Sequence, residues 1–263
     1  MHGYGNFAYF YDELTSNAEY DRRGDYICSL LNEAGKSSGI LLDLACGTGT
    51  LSLMLKDRGY EVIGVDASED MLTVAQEKKC EVGDTETIFL CQKMQELDLF
   101  GTIDAAVCTL DSINHVTDEE DVKEIFRRVS LFMNDSAVFV FDVNTPYKHE
   151  HILGNNTFVY DLDDVFCVWQ HTFIKDSCTT EISLDIFEKL NDDDSESAED
   201  GECYSRYSEQ FSERGYDLKK LKGYLEEVKF EVLGVYDEFT KDSASDKTAR
   251  AVFVCRKHGT QFI

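Results

Sequence analysis

An α/β fold with a largely parallel sheet is predicted by three features of this 263-residue sequence. Apolar runs that read as buried strands alternate with helical segments over residues 40 to 144. The first of these strands breaks into a glycine turn, in the stretch Ile40 to Ser52, ILLDLACGTGTLS. Asp43, Asp66, Gln92, Asp111, Asn114 and His115 all lie at or just past strand carboxyl ends, where open α/β sheets bind ligands. Repeated strand–helix–strand units imply right-handed crossovers, with helices on both faces of the sheet.

The elements follow in order. Residues 8 to 34 read as two short helical segments, with Ala18, Tyr20, Ile27, Leu30 and Leu31 as an apolar stripe and Gly35 as the stop. Tyr9, Phe10 and Tyr11 stand at their start, either stapling the N-terminus to the core or forming a lid over a ligand. After the glycine turn a helix covers 50 to 58, and Tyr60 to Asp66 is a second buried strand. Ser68 caps a helix running to Cys80, with Met71, Leu72 and Ala75 inward. Thr87 to Met94 and Ile103 to Thr109 are the third and fourth strands. Thr117 and Glu120 form a capping box for a helix to about Met133, and Ala137 to Val143 is a fifth, very apolar strand.

The pattern changes after Pro146, the only proline. Residues 157 to 189 carry β-rich runs with short polar breaks and read as an antiparallel meander. Residues 191 to 202, NDDDSESAEDGE, read as a disordered or mobile hairpin tip. A strand from Glu202 to Phe211, a helix capped by Asp217 and two strands at 231–239 and 250–256 follow. The expected division is a main domain of residues 1–146 and 213–263, interrupted by a β insertion at 147–212.

Composition narrows the function. Lys and Arg number 25 against 52 Asp and Glu, a net charge of −27, which repels nucleic acid and anionic membranes. The N-terminus lacks the basic-then-apolar pattern of a signal peptide, and no apolar run approaches the roughly 20 residues that span a bilayer, so a cytoplasmic address is expected. The 9 cysteines show no zinc-ligand spacing, no metal site is expected, and most cysteines read as reduced, buried residues. The oligomeric state is left open.

At the turn, Gly47 can adopt positive φ, Gly49 lacks a side chain that would block a ligand, and the helix N-terminus offers backbone amides. A dinucleotide fingerprint would be GxGxxG, but its third glycine is Ser52 here. Asp43 adds a carboxylate near the place where two phosphates would sit. Both features disfavour a dinucleotide and favour a cationic cofactor, a sulfonium nucleoside with an amino-acid tail. Asp66, after the second strand, can accept both hydroxyls of an unphosphorylated ribose. Its alternative role is a helix N-terminal acid beside Ser68.

LLDLACGTGTLS and VIGVDASEDML resemble the first and second motifs of class I S-adenosylmethionine-dependent methyltransferases. YDELTSNAEYDRRGDYI, CTLDSINHV, FDVNTPYK and ERGYDLKKLKGYLEEVKFEVLGVYDEFT extend the resemblance over most of the chain, to a bacterial small-molecule branch related to glycine and amino-sugar N-methyltransferases. The resemblance implies a Rossmann-like sheet of seven strands with the last antiparallel, and a small β-sheet over the active site. It further implies S-adenosylmethionine as cofactor, with Gly47 and Gly49 near the methionine tail, Asp66 on the ribose, Gln92, Lys93 and Met94 around the adenine and Leu110 below it. Asp43, Ala45 and Ala67 complete the implied cofactor contacts. The family often has an acid at the position of Lys93 to accept from the adenine amino group, which lysine cannot do. LDSINH resembles the loop of sugar N-methyltransferases whose final histidine faces the acceptor, making His115 the candidate base, with capping of the next helix as its alternative. Tyr11 matches an aromatic that closes over the cofactor.

The activity implied is methyl transfer to a small-molecule acceptor, at nitrogen or, alternatively, oxygen. Its rivals are a non-catalytic cofactor-binding scaffold and an NAD-dependent oxidoreductase. Tyr160, Trp169 and His171 either line the acceptor pocket or simply pack the small sheet.

Overall fold

The computed structural model describes residues 7–190 and 203–259. Two short helices, α1 (Phe7–Leu14) and α2 (Tyr20–Glu33), open the chain and are joined by a 3-10 turn at Ser16–Ala18. Then β1 (Gly39–Leu44), α3 (Thr50–Asp57), β2 (Tyr60–Asp66), α4 (Glu69–Glu81), β3 (Ile88–Cys91) and β4 (Ile103–Cys108) alternate as predicted. After α5 (Glu119–Phe132) and β5 (Met133–Asn144) comes a meander of β6 (Thr157–Asp161), β7 (Val165–Ile174), β8 (Thr179–Lys189) and β9 (Tyr204–Arg214). α6 (Leu218–Glu227), β10 (Phe230–Asp237) and β11 (Arg250–Lys257) complete the described chain.

The main sheet has the order β10-β11-β5-β4-β1-β2-β3, and β11 runs antiparallel to both its neighbours. The order reverses between β1 and β4, so the carboxyl ends of those two strands flank the crevice in which such sheets bind ligands. Side chains alternate across the sheet. Leu42, Leu44, Phe139, Phe141 and Phe253 pack against α5 and α6, whereas Leu41, Val138, Val140 and Val252 pack against α2 and α3. Phe141 stacks between Phe139 and Phe253, at centroid distances of 4.9 and 4.7 Å.

The second sheet, β6-β7-β8-β9, is wholly antiparallel. Its apolar residues Val165, Cys167, Ile182, Leu184 and Ile186 share one cluster with Phe7, Ala8 and Leu14 of α1 and Met71 and Val74 of α4. α1 is therefore wedged between the small sheet and α4.

Several boundaries differ from expectation. The cap of α5 is Asp118, whose Oδ1 accepts the Glu120 N–H at 2.7 Å, while the carbonyl of the predicted cap Thr117 accepts from Arg214 Nη1 at 2.9 Å. β3 stops at Cys91 because the Gln92 side chain turns the chain, accepting from the Asp98 amide at 2.8 Å and donating to its carbonyl at 3.0 Å. β5 begins at Met133, running straight out of α5 with an irregular register against β4. A π-helical turn at Lys148–Leu153 carried no periodicity signal; it buries His149 against Thr180, Nδ1 to Oγ1 at 2.9 Å. Burial of most cysteines was expected, but only Cys108, Cys167 and Cys255 are buried; Cys28, Cys46, Cys178 and Cys203 are half-buried, and Cys80 and Cys91 are exposed. The acidic stretch 191–202, including the expected strand start at Glu202, lies outside the described residues.

Candidate active site

The carboxyl ends of β1, β2 and β4 open into a cavity of about 900 Å³, roofed by α1 and the small sheet. That volume is near the top of the roughly 300–1,000 Å³ range of small-molecule sites, leaving room for two ligands side by side.

Its first wall is the glycine turn. Ala45 leaves β1 with φ +59°, Gly47 follows with φ +53° and Gly49 caps α3 with φ +72°. A Cβ on Gly47 would meet nothing within 4 Å, and Ala45 and Gly47 both line the cavity. Gly49 does not. A Cβ there would come within 2.8 Å of Phe89 and 2.9 Å of Ala75, so its missing side chain serves close packing of α3 against β3 and α4, not ligand access. The turn is tied to α1 by Asp12, whose Oδ1 accepts from Thr48 Oγ1 at 2.8 Å and Thr50 Oγ1 at 3.1 Å.

Asp66 lines the cavity at the end of β2. Its Oδ2 accepts the Gly47 N–H at 2.9 Å and its Oδ1 the Ser68 N–H at 2.8 Å, so it bridges the two turns. Burial pushes this carboxyl upward, against hydrogen bonds from Ser68, Gly47 and Ala67. Each oxygen keeps lone-pair capacity for a further donor. Asp66 thus supports the start of α4 and also faces the cavity. Ala67 lines the same wall.

Asp43 is absent from the cavity wall. It is buried behind the turn, accepting from Ser52 Oγ at 2.6 Å, and burial pushes its carboxyl up to about 6. The residue that breaks the third glycine position is thus the partner of the carboxylate that made the turn look anion-repelling. Gln92 likewise spends its side chain on Asp98, whereas Lys93 and Met94 reach the cavity. The Lys93 ammonium lies 3.3 Å from Glu96.

The second wall is the loop after β4. Leu110 and Asp111 both adopt left-handed backbone, φ +56° and +54°, an arrangement that costs ordinary residues of order 1–2 kcal/mol each. Asp142 of β5 compensates: Oδ2 accepts the Leu110 N–H at 2.9 Å and Oδ1 the Asp111 N–H at 2.8 Å. Asn114 is fully buried and clamps the loop to β5 and β9, accepting the Asn144 N–H at 2.9 Å and donating to the carbonyls of Asn144 at 2.9 Å and Arg214 at 2.8 Å. That clamp brings Glu213 of β9 opposite His115, with Nε2 3.6 Å from Oε1. The His115 ring lies 5.1 Å from Phe211, and it faces the cavity instead of capping α5, a task taken by Asp118.

Arg250, from β11, reaches into this corner. It pairs with Asp111 at 2.6 Å, Asp142 at 2.6 Å and Glu238 at 3.3 Å, while Arg23 pairs with Glu238 at 2.8 Å and Asp142 at 3.4 Å. Burial works against the Asp111 charge, yet Arg250, then Lys148 and His115, hold that carboxyl far below the usual range. Burial and the Asp111 charge push Glu213 the other way, up to about 7, with His115, Lys148 and Arg250 opposing. Sequence reading missed Glu213, Asp142, Arg250 and Lys148. Asp142 left a signal as a carboxylate inside the apolar run AVFVFDV; the others left none, because their partners are distant in the chain.

The roof carries Tyr11, which meets Phe7 edge-on at 5.5 Å; Phe7 in turn meets Trp169 at 6.2 Å. Tyr160, Trp169 and His171 line the cavity, and Tyr160 and Trp169 also pack against the small-sheet cluster. Burial pulls His171 downward, leaving a neutral ring beside the cavity.

A family model described as a methyltransferase domain matches residues 41–134. The chain is 32% identical to a putative methyltransferase YqeM of Bacillus subtilis (strain 168), over 98% of each chain. It is 29% identical to an S-adenosylmethionine-dependent methyltransferase of known crystal structure from Clostridium acetobutylicum ATCC 824, covering 97% of this chain and 99% of that one with a TM-score of 0.84. A glycine/sarcosine N-methyltransferase of Halorhodospira halochloris is 28% identical over 51% of each chain.

Proposed function

The chain belongs to the S-adenosylmethionine-dependent methyltransferase family, and on that premise we propose that it methylates a small molecule at an amine nitrogen. The observation that carries the reading is the juxtaposition of two unlike ends in one cavity. A turn with open space above Gly47 and a backbone-anchored Asp66 forms one end; His115 and Glu213 form the other. The name of the glycine/sarcosine N-methyltransferase relative supports nitrogen as the acceptor atom.

The chain's residues fit the cofactor. Asp66 accepts the ribose hydroxyls, Gly47 and Ala45 border the methionine tail, and Ala67, Met94 and Leu110 enclose the adenine, with Lys93 at its rim. Asp43 and Gly49 act from behind, fixing the turn through Ser52 and through Phe89. Gln92 shapes the loop through Asp98. When bound, S-adenosylmethionine supplies a sulfonium methyl that a nitrogen lone pair displaces in line, a reaction in which orientation provides much of the rate enhancement. His115 faces the acceptor and takes its proton. Tyr11 and the described residues of the insertion, 147–190 and 203–212, cover the cavity and exclude water. Among the described residues no helix is long and apolar enough to cross a membrane. The net charge of −27 supports a small-molecule acceptor over nucleic acid, and a cytoplasmic setting is part of the same proposal.

Isothermal titration with S-adenosylhomocysteine tests the cofactor end. Loss of two charge-assisted hydrogen bonds in Asp66→Ala should weaken binding about 100-fold; unchanged affinity would remove Asp66 from the site. Transfer of labelled methyl to any amine separates an enzyme from a cofactor-binding scaffold.

A further inference from the structure

Glu213 stands apart in the charge pattern of the cavity corner. Three cations, Arg23, Lys148 and Arg250, face four carboxylates, Asp111, Asp142, Glu213 and Glu238. Arg23 and Arg250 bond to the other three acids. Lys148 directs its ammonium to Asn144 Oδ1 at 2.8 Å. Glu213 is only 5% exposed, and its polar neighbours are the Asn144 amide at 3.5 Å and His115 at 3.6 Å. It is the one buried acid of the corner with no guanidinium or ammonium at salt-bridge distance among the described residues.

We propose that Glu213, with Asp111 and His115, forms a cation subsite that receives the acceptor as a protonated aliphatic amine and excludes acceptors with a carboxylate or phosphate beside that amine. The proposal deepens the N-methylation reading and rests on it. The acceptor ammonium supplies the missing fourth cation. Donor atoms of Asp111, His115 and Glu213 lie within 4.8 Å of one another, a spacing that one ammonium can bridge. Asp111 is already bound to the Arg250 guanidinium at 2.6 Å and to the Asn144 amide at 2.7 Å, so it enters the subsite as a neighbouring negative charge, which an ammonium accepts but a divalent metal, needing several free ligand atoms, does not. An anion on the acceptor would raise the excess of negative charge in a corner already rich in carboxylates, and Arg23 and Arg250 are engaged.

The groups facing Glu213 act together. Asp111 opposes its ionisation; His115, Lys148 and Arg250 favour it, and burial leaves it poised near neutrality, able to hold a proton when the subsite is empty and release it when an ammonium arrives. The bound ammonium then passes one proton to His115 Nε2, which is partly open to solvent. The N–C bond forms as the C–S bond breaks, with the electron pair leaving on sulfur.

The charge of the acceptor can be tested before the acceptor is identified. Polar metabolites from a bacterial extract are separated at pH 7 on cation and anion exchangers, and each fraction is incubated with the full chain and methyl-labelled S-adenosylmethionine. Labelled product should form from the fraction held by the cation exchanger and passed by the anion exchanger. Product formed only from anion-retained material overturns the subsite. No product in any fraction, with S-adenosylhomocysteine binding intact, overturns the small-molecule reading underneath and the subsite with it. With the productive fraction, Glu213→Gln should lower labelling about 10- to 100-fold, the loss of one charge-assisted contact, and Glu213→Asp should recover part of it. Unchanged cofactor affinity in both variants separates this effect from misfolding, and wild-type labelling by Glu213→Gln overturns the role of Glu213.

Discussion

At the residue scale the cavity is organised by carboxylates in three different states. Asp66 is held by backbone amides, Asp111 by Arg250, and Glu213 by no guanidinium or ammonium within salt-bridge distance among the described residues. Glu213 carries a measurable consequence for stability. Its carboxyl is pushed from an ordinary 4.5 up to about 7 in the fold, so the folded state binds the proton more tightly than the unfolded state. The stabilising contribution is fully present below about pH 4.5 and is lost as pH rises through 7. Glu213→Gln, which mimics the protonated form, should therefore raise the thermal midpoint relative to wild type more at pH 8 than at pH 5. A gain equal at both pH values would contradict the assignment. Of these three cavity-lining acids, only Asp66 stood out in the sequence, because its spacing from the glycine turn is a local property. Asp111 was visible merely as a polar strand end, and Glu213 is brought to the cavity by a strand 98 residues after His115.

At the scale of elements, turns and caps decide where side chains point. Gly47 and Gly49 look equivalent in GTG but differ in surroundings. Gly47→Ala should cost about 1–2 kcal/mol for its left-handed backbone alone. Gly49→Ala adds an overlap with Phe89 and Ala75, bringing its cost to about 2–4 kcal/mol in urea unfolding. The cap of α5 offers a second comparison. Asp118→Ala should lose about 1 kcal/mol, whereas Thr117→Ala, with no capping bond, should stay within about 0.5 kcal/mol. The strands and helices of residues 40 to 144 were readable because buried strands and amphipathic helices carry their periods in the chain itself. The π-helical turn at Lys148–Leu153 was not, since the packing of His149 against Thr180, 31 residues away, accompanies it and leaves no period.

At the scale of the whole molecule, Arg250 joins parts of the chain that are far apart in sequence: β11 to Asp142 of β5, to Asp111 in the loop after β4, and to Glu238 after β10. Arg250→Met should lower unfolding free energy by about 3–5 kcal/mol, because it strands buried carboxylates. It should also weaken the acceptor end more than S-adenosylhomocysteine binding. The small sheet is joined to the seven-stranded layer in another way, through the apolar cluster that α1 shares with β7, β8 and α4. The sequence by itself determined the alternation of strands and helices, the glycine turn, the acid after the second strand and, through the motifs they compose, the family and its cofactor. All of these are patterns within a few tens of residues, where spacing maps directly onto geometry. Only the tertiary structure decided that Asp43 and Gly49 stand behind the site, that Gln92 turns away, and that Glu213, Lys148 and Arg250 meet His115. Charges pair through space, and a corner assembled from β4, β5, β9 and β11 has no period or spacing along the chain to announce it.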